Sequence, residues 1–178
     1  DCTPSRGLGD VYKRQLNLAS LWDLPVLFLC ENNQYGMSMA SDKAVAGESI
    51  ASRGNSYGIE SIQIDGNDVE AVFESVTSFK NEILASNRPK FIEAVTYRYR
   101  GHSKSDRNLY RTSDEIEYWK EEKDPIKRYI GKLIESGVTE AKLKEIDEGV
   151  KELIRDSVKK ALDSPMSPVT NLEEDSYA

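Results

Sequence analysis

The sequence predicts an α/β protein, a parallel sheet flanked by helices, with a helical C-terminal region. Three observations lead there. Residues 26–30, VLFLC, form a short unbroken apolar run. It is too short to cross a bilayer and too apolar for a strand with one wet face, so it reads as a buried parallel strand. Residues 57–97 then give strand, helix and strand in succession, which calls for a right-handed crossover between parallel neighbours. Beyond residue 112 the apolar spacing is helical.

Taken in order, residues 1–15, DCTPSRGLGDVYKRQ, mix Pro, Gly and basic side chains with scarcely any apolar periodicity. They are expected to be foreign or disordered, and residues 16–178 to form the domain. Leu16, Leu18, Ala19, Leu21 and Trp22 look like the last turns of a helix, after which Pro25 starts the first strand. A polar burst follows it, Glu31-Asn32-Asn33-Gln34-Tyr35-Gly36. Open α/β sheets hold their ligands in the crevice beyond the carboxyl ends of the strands, so a ligand site is expected there. Residues 41–58, rich in Ser, Gly, Ala and Asn, read as a loop with one short helical turn around residues 44–52.

Tyr57, Ile59 and residues 61–64 predict a second strand, closed by Asp65-Gly66-Asn67-Asp68. That quartet is a strand-to-helix turn in which Asn67 or Asp68 accepts from free helix amides, and capping explains Asp65 and Asp68 better than metal ligation does. Val69, Val72, Phe73, Val76, Phe79, Ile83 and Leu84 recur at helical spacing, predicting a helix over residues 69–86 that Asn87-Arg88-Pro89 ends. Phe91, Ile92, Ala94, Val95 and Tyr97 make the third strand. The helical tail spans about residues 113–163: Thr112 to Glu115 opens one helix, Asp124-Pro125 a second, and Thr139 a long third. The third has an apolar stripe of Leu143, Ile146, Val150, Leu153, Ile154, Val158 and Leu162 among Lys and Glu, and is expected to lie on the core or on a neighbouring subunit. The closing SPMSPVTNLEEDSYA reads as extended.

A charged fraction of 31% against 38% hydrophobic residues is that of a globular chain, and 178 residues suffice for one domain. The net charge of −7 argues against a nucleic-acid partner, since phosphate backbones are gripped by surplus Lys and Arg. No apolar run spans a membrane and no secretory pattern opens the chain, so no membrane partner and an intracellular location are expected. Of two cysteines, Cys30 sits in the apolar strand and reads as a small buried hydrophobe.

Within this acidic chain, YRYRGHSKSDRNLYR is a basic island: Arg98, Arg100, Lys104, Arg107 and Arg111 face Asp106 alone, around the only histidine, His102, with Ser103 and Ser105 beside it. Such a donor-rich loop at a strand's carboxyl end suits a phosphate or carboxylate, although a solvated basic loop with an incidental histidine explains the composition equally well.

LNLASLWDLPVLFLCENNQYGMS, followed later by TYRYRGHSKSD and YRT, resembles the alpha subunit of thiamine-diphosphate-dependent 2-oxo acid dehydrogenases, the decarboxylating first components of the pyruvate, acetoin and branched-chain complexes. The likeness runs from Leu16 through Asp124-Pro125 to Tyr177-Ala178. It implies part of a thiamine-diphosphate-binding fold and two cofactors, thiamine diphosphate and Mg2+. It also implies a beta-subunit partner in an alpha-beta heterotetramer, a lipoyl-bearing acyltransferase, and a 2-oxo acid substrate, most readily pyruvate or an acetoin-type acid. By position it makes Asn33 a side-chain metal ligand and Tyr35 a carbonyl ligand, oxygen donors of the kind Mg2+ prefers. His102 becomes the candidate catalytic residue, holding the diphosphate. Arg98 and Arg111 flank its loop, and Ser103 stands where mitochondrial members are phosphorylated. The family's activating glutamate belongs to the beta subunit, which leaves Glu31 a structural acceptor.

One departure stands out. The family motif opens with Gly-Asp-Gly, and the matching window here holds Thr3, Pro4 and Ser5. The chain is therefore expected to bind thiamine diphosphate weakly and to be inactive alone. A transketolase-like enzyme and a non-enzymatic phosphate-binding module are the alternatives, and the location implied is bacterial cytoplasm or a mitochondrial matrix.

Overall fold

The structure is a computed structural model that describes residues 6–103 and 105–168. Lys104, the window Thr3, Pro4 and Ser5, and the tail from residue 169 onward lie outside those residues. The chain divides into two compact units, Asp1–Tyr129 and Ile130–Ala178.

In the first unit β1 (Leu27–Asn32), β4 (Glu60–Asp65) and β5 (Lys90–Val95) make a parallel sheet in the order β1-β5-β4. The expected α/β class and parallel sheet are therefore what the chain forms. β5 is central because its sequence, KFIEAV, tolerates burial on both faces: Phe91, Ile92 and Ala94 are all buried. A short antiparallel pair, β2 (Tyr35–Gly36) with β3 (Met39–Ala40), stands beyond the end of β1.

α4 (Val69–Ser86) is the crossover between β4 and β5, with the predicted bounds. Asp68 caps it, its carboxylate accepting from the Glu70 and Ala71 amides, which stabilises the helix by about 1 kcal/mol. Asn87 closes it at φ 51°, in the left-handed conformation that Asn adopts more readily than most residues. Phe79 and Ile83 are the buried residues of this helix. The stem of Lys90 lies against Phe79, with its ammonium 4.9 Å from the ring centre and paired with Glu60 and Glu82. On the opposite face Leu16, Ala51, Ile59 and Phe91 form the core, with Phe28, Cys30, Ile50 and Tyr57 packed against it. The alternation of side chains along a strand puts Phe28, Cys30 and Asn32 on this face, together with Phe91 and Glu93.

Capping of the turn before α4 is as expected, and the structure adds to it. The Asp65 carboxylate accepts from the Asn67 amide, and Arg128 pairs with both Asp65 and Asp68. Asn67 itself, 3% exposed, accepts from Thr96 Oγ1 and donates to the Lys123 carbonyl, tying the strand-to-helix turn to a later loop.

Two expectations need revision. β1 is not fully buried: Leu29 is 51% exposed, because among the described residues β1 pairs on one side only and lies outside the central position. The loop after residue 41 holds two short turns at its flanks, α2 (Ser41–Ala44) and α3 (Ser52–Asn55), instead of one between them. As expected, the residues from Leu16 form the last turns of a helix, α1 (Arg6–Leu21).

α5 (Ser113–Glu121) starts where Thr112 accepts from the Glu115 amide, and α6 (Pro125–Glu135) where Asp124 accepts from the Ile126 and Lys127 amides. In the second unit Gly137, at φ 98°, turns the chain and Thr139 caps α7 (Glu140–Asp163). None of the α7 side chains is buried, and Ile146, Val150, Leu153, Ile154, Val158 and Leu162 are each more than half exposed. No helix among the described residues is long and apolar enough to cross a membrane.

Candidate functional site

β1 and β5 run side by side and end together, Asn32 opposite Val95, so the loops that leave them start as neighbours. The pairing continues past the strands. Thr96 N–H donates to the Asn32 carbonyl at 2.9 Å and Arg98 N–H to the Asn33 carbonyl at 3.3 Å. The turn at Asn32-Asn33-Gln34-Tyr35 is held by its own side chains. Asn32 Oδ1 accepts from the Gln34 amide at 3.2 Å, and Asn33 Oδ1 accepts from the Tyr35 amide at 3.2 Å. Gln34 sits between them at φ 70°, a conformation that costs a non-glycine residue free energy and persists only where its surroundings impose it.

The second loop folds back over Tyr35. The Tyr35 ring meets Tyr97 edge-on, centroids 6.0 Å apart, and Tyr110 at 5.6 Å. Tyr97 in turn stacks on Trp119 at 4.9 Å. Arg111 fills the middle, its guanidinium 5.3 to 5.5 Å from the rings of Tyr35, Tyr97 and Tyr110. It donates to the Arg98 and Tyr99 carbonyls and to Asn108 Oδ1. At 8% exposed, with those partners, Arg111 is a pillar of the loop and not an open anion grip. Arg98 reaches across to the first loop: one Nη donates to the Met37 carbonyl at 2.6 Å and to Tyr110 Oη at 3.3 Å. The Nε atoms of Arg98 and Arg111 are buried and have no partner among the described residues.

Glu115, in the first turn of α5, closes the aromatic cluster by accepting from both the Tyr35 and Tyr97 hydroxyls at 2.9 Å. Burial first, and then the Glu115 hydrogen bond and charge, push the Tyr35 phenol up to about 12, and the same causes raise Tyr97. Both are neutral donors at physiological pH.

The tip of the second loop is organised by Asp106. Its carboxylate accepts from the Asn108 amide, the Tyr110 hydroxyl and the His102 amide, which together hold it down at about 2. Gly101 allows the approach: a Cβ there would stand 2.7 Å from Asp106 Cβ and Cγ. His102 and Ser103 are exposed and, with Tyr99, Arg100, Gly101, Asp106 and Asn108, line a hollow of about 590 Å³. The structure thus brings Asn33, Tyr35, Arg98 and Arg111 together, whereas His102 and Ser103 face a hollow that takes no side chain from the Asn33 turn.

Sequence reasoning passed over Glu115, Tyr110 and Glu93. The first two had weak signals, an acid three residues after a capping Thr and one Tyr among nine. Glu93 had a clear one, a lone acid inside the apolar run FIEAV. It is 0% exposed and accepts from Asn32 Nδ2 and the Ala51 amide. Cys30 beside it has its thiol raised, first by burial and then by the Glu93 carboxylate, and packs as an apolar residue.

A magnesium site fits the oxygen chemistry of the turn. Asn33 Oδ1 carries two lone pairs, of which the Tyr35 amide takes one, and an amide or carbonyl oxygen suits a small hard cation. Among the described residues no group of three or more His, Cys, Asp or Glu is placed to hold a metal.

The dehydrogenase E1 component family matches residues 5–170. The chain is 39% identical over 168 residues to the pyruvate dehydrogenase E1 component subunit alpha of Rhizobium meliloti, covering 94% of this chain and 48% of that protein. It is 36% identical over 159 residues to the same subunit of Rickettsia bellii, 89% of this chain and 48% of that one. It is 42% identical over 164 residues to the mitochondrial type I subunit alpha of Ascaris suum, 91% and 41%. The chain spans about half the length of the curated relatives it matches. On the extent of the family match, this chain belongs to the dehydrogenase E1 component family.

Proposed function

We propose that this chain is part of the alpha subunit of a pyruvate-dehydrogenase-type 2-oxo acid dehydrogenase. In this reading it works with a beta subunit and a lipoyl-bearing acyltransferase, in bacterial cytoplasm or a mitochondrial matrix. The observation that supports the reading best is that the Asn33 turn and the Arg98-to-Arg111 loop leave adjacent strands and are fastened to each other, in a chain similar to proteins of that name. Asn33 Oδ1 and the Tyr35 carbonyl would hold Mg2+, and Arg98, His102 and Ser103 would hold the diphosphate of thiamine diphosphate. The exposed imidazole and hydroxyl offer donors without first breaking a buried bond, and Arg98 Nε is a donor left over for a phosphate oxygen. When bound, the cofactor supplies the decarboxylation of the 2-oxo acid and the acyl transfer to lipoyl; this chain anchors and orients it.

The test uses the full-length subunit assembled with its beta partner. Wild type should show Mg2+-dependent binding of thiamine diphosphate by calorimetry and 2-oxo acid dependent reduction of lipoamide. Asn33→Ala should weaken metal-dependent binding by about tenfold or more. His102→Ala should weaken diphosphate binding with the fold intact. Phosphate binding that needs no metal, together with no reaction on any 2-oxo acid, would overturn the assignment in favour of a binding module.

A further inference from the structure

Glu93 stands in the middle of the central strand with no exposed surface, yet nothing in packing asks for an acid there. A carboxyl of this length buried by itself is costly, and an apolar residue of similar volume would fill the space at less cost. What only a carboxylate offers is two acceptor oxygens and no donor. Both are used: Oε1 accepts from Asn32 Nδ2 at 2.7 Å, and Oε2 accepts from the Ala51 amide, where α3 begins, at 2.8 Å. A glutamine would turn an amide group toward one of these two donors.

The bond to Asn32 carries further. With Nδ2 drawn to Glu93, the Asn32 amide is fixed in one orientation, and its Oδ1 is turned to the Gln34 N–H. Asn32 also receives the Gln34 side-chain amide on its carbonyl at 3.3 Å. Asn32 therefore holds Gln34 by main chain and side chain, in the left-handed conformation that Gln does not adopt cheaply. Gln34 is the link between Asn33 and Tyr35. We infer that Glu93 is a positioning residue for the metal site: acting through Asn32, it sets the backbone between the two proposed metal ligands, Asn33 and Tyr35. This rests on the functional reading above for the metal, and on the hydrogen bonds alone for the positioning.

The experiment compares Glu93→Gln, Asn32→Ala and the double variant Glu93→Gln/Asn32→Asp in the full-length subunit with its beta partner. The double variant transposes acid and amide, so the bond between residues 93 and 32 is restored with donor and acceptor exchanged, while the Ala51 and Gln34 amides still find an oxygen to donate to. Amide hydrogen exchange over residues 31–38, measured without metal or cofactor, should quicken about tenfold in the two single variants and return in the double variant, as expected when a fixed turn is released. The Mg2+ concentration for half-maximal activity should rise about tenfold in Glu93→Gln while kcat at saturating Mg2+ is kept, the range typical for groups that orient metal ligands. Asn32→Ala leaves the Ala51 bond in place, so it still reports on the turn if Glu93→Gln folds poorly. A merely structural Glu93 would give faster exchange across the whole sheet, an unmoved Mg2+ midpoint and no recovery in the double variant, and any of these overturns the inference. If wild type shows no Mg2+ dependence, the metal reading fails, while exchange in the turn still decides whether Glu93 holds it.

Discussion

Glu115 gives the most searching test of how the two loops are joined. Its carboxylate receives the Tyr35 hydroxyl at 2.9 and 3.2 Å and the Tyr97 hydroxyl at 2.9 Å. A hydrogen bond to a charged group contributes about 1.5 to 3 kcal/mol, and water can partly replace this half-buried acceptor, so Glu115→Ala should cost about 3 kcal/mol for the two. Glu115→Gln keeps one oxygen and lets one hydroxyl turn to accept, so its cost should be about 1 kcal/mol. Urea unfolding of Tyr35→Phe, Glu115→Ala and the double variant should give a coupling of about 1.5 kcal/mol. Alkaline titration gives an independent readout. The Tyr35 phenol, at about 12 in the folded protein, lies above its ordinary value of about 10, so this group's stabilisation is full below pH about 10 and is lost as pH rises toward about 12. Glu115→Ala should bring the phenol back toward its ordinary value, since two of the causes of its rise are removed. A coupling indistinguishable from zero, with an unmoved phenol titration, would refute the account.

Other expectations are narrower. Asp106 is held at about 2, below the ordinary carboxylate value of about 4, so its contribution to loop order is full above pH about 4 and is lost as pH falls toward about 2; pepsin should begin to cut near the exposed Leu109 in that window, and Asp106→Asn should be cut already at its upper end. Gly66→Ala places a Cβ 2.9 Å from the Val95 carbonyl oxygen and 3.0 Å from Ala94 Cβ, both on the central strand, and should cost about 1 to 3 kcal/mol by urea unfolding. Gly149→Ala, in α7, where an added Cβ meets no atom of the described residues beyond its own helix backbone within 4 Å, should instead raise helix stability by about 1 kcal/mol, and a loss on substitution would show that this surface is occupied. Asn67→Ala strands the Lys123 carbonyl and the Thr96 hydroxyl and should cost about 2 kcal/mol.

Where local chemistry decides structure, the sequence was easily read. Thr112, Asp124 and Thr139 all cap the helices they were expected to begin, and of the two candidates before α4 it is Asp68 and not Asn67 that does so, because a side-chain oxygen before an apolar period has few other uses. The strand and helix order was legible for the same reason. The basic island was not. Counting charges treats five cations as alike, yet Arg111 is enclosed by three tyrosines and Arg98 is tied to Met37, and which cation is enclosed depends on where remote aromatic residues come to rest. Leu29 was misjudged because an apolar run reports a capacity for burial, while the neighbours available to the strand decide how much of it is realised.

With β5 inside, the sheet has two margins, and β1 forms one of them, its outer row of main-chain N–H and C=O groups unmatched by any strand among the described residues. Beside that row stands the bare side chain of Leu29, and such a margin is a template on which a foreign strand can extend the ladder. Prepared alone at high concentration, the chain should therefore tend to stick to copies of itself. Co-expression with a protein that covers this margin should do more for solubility than any change of buffer.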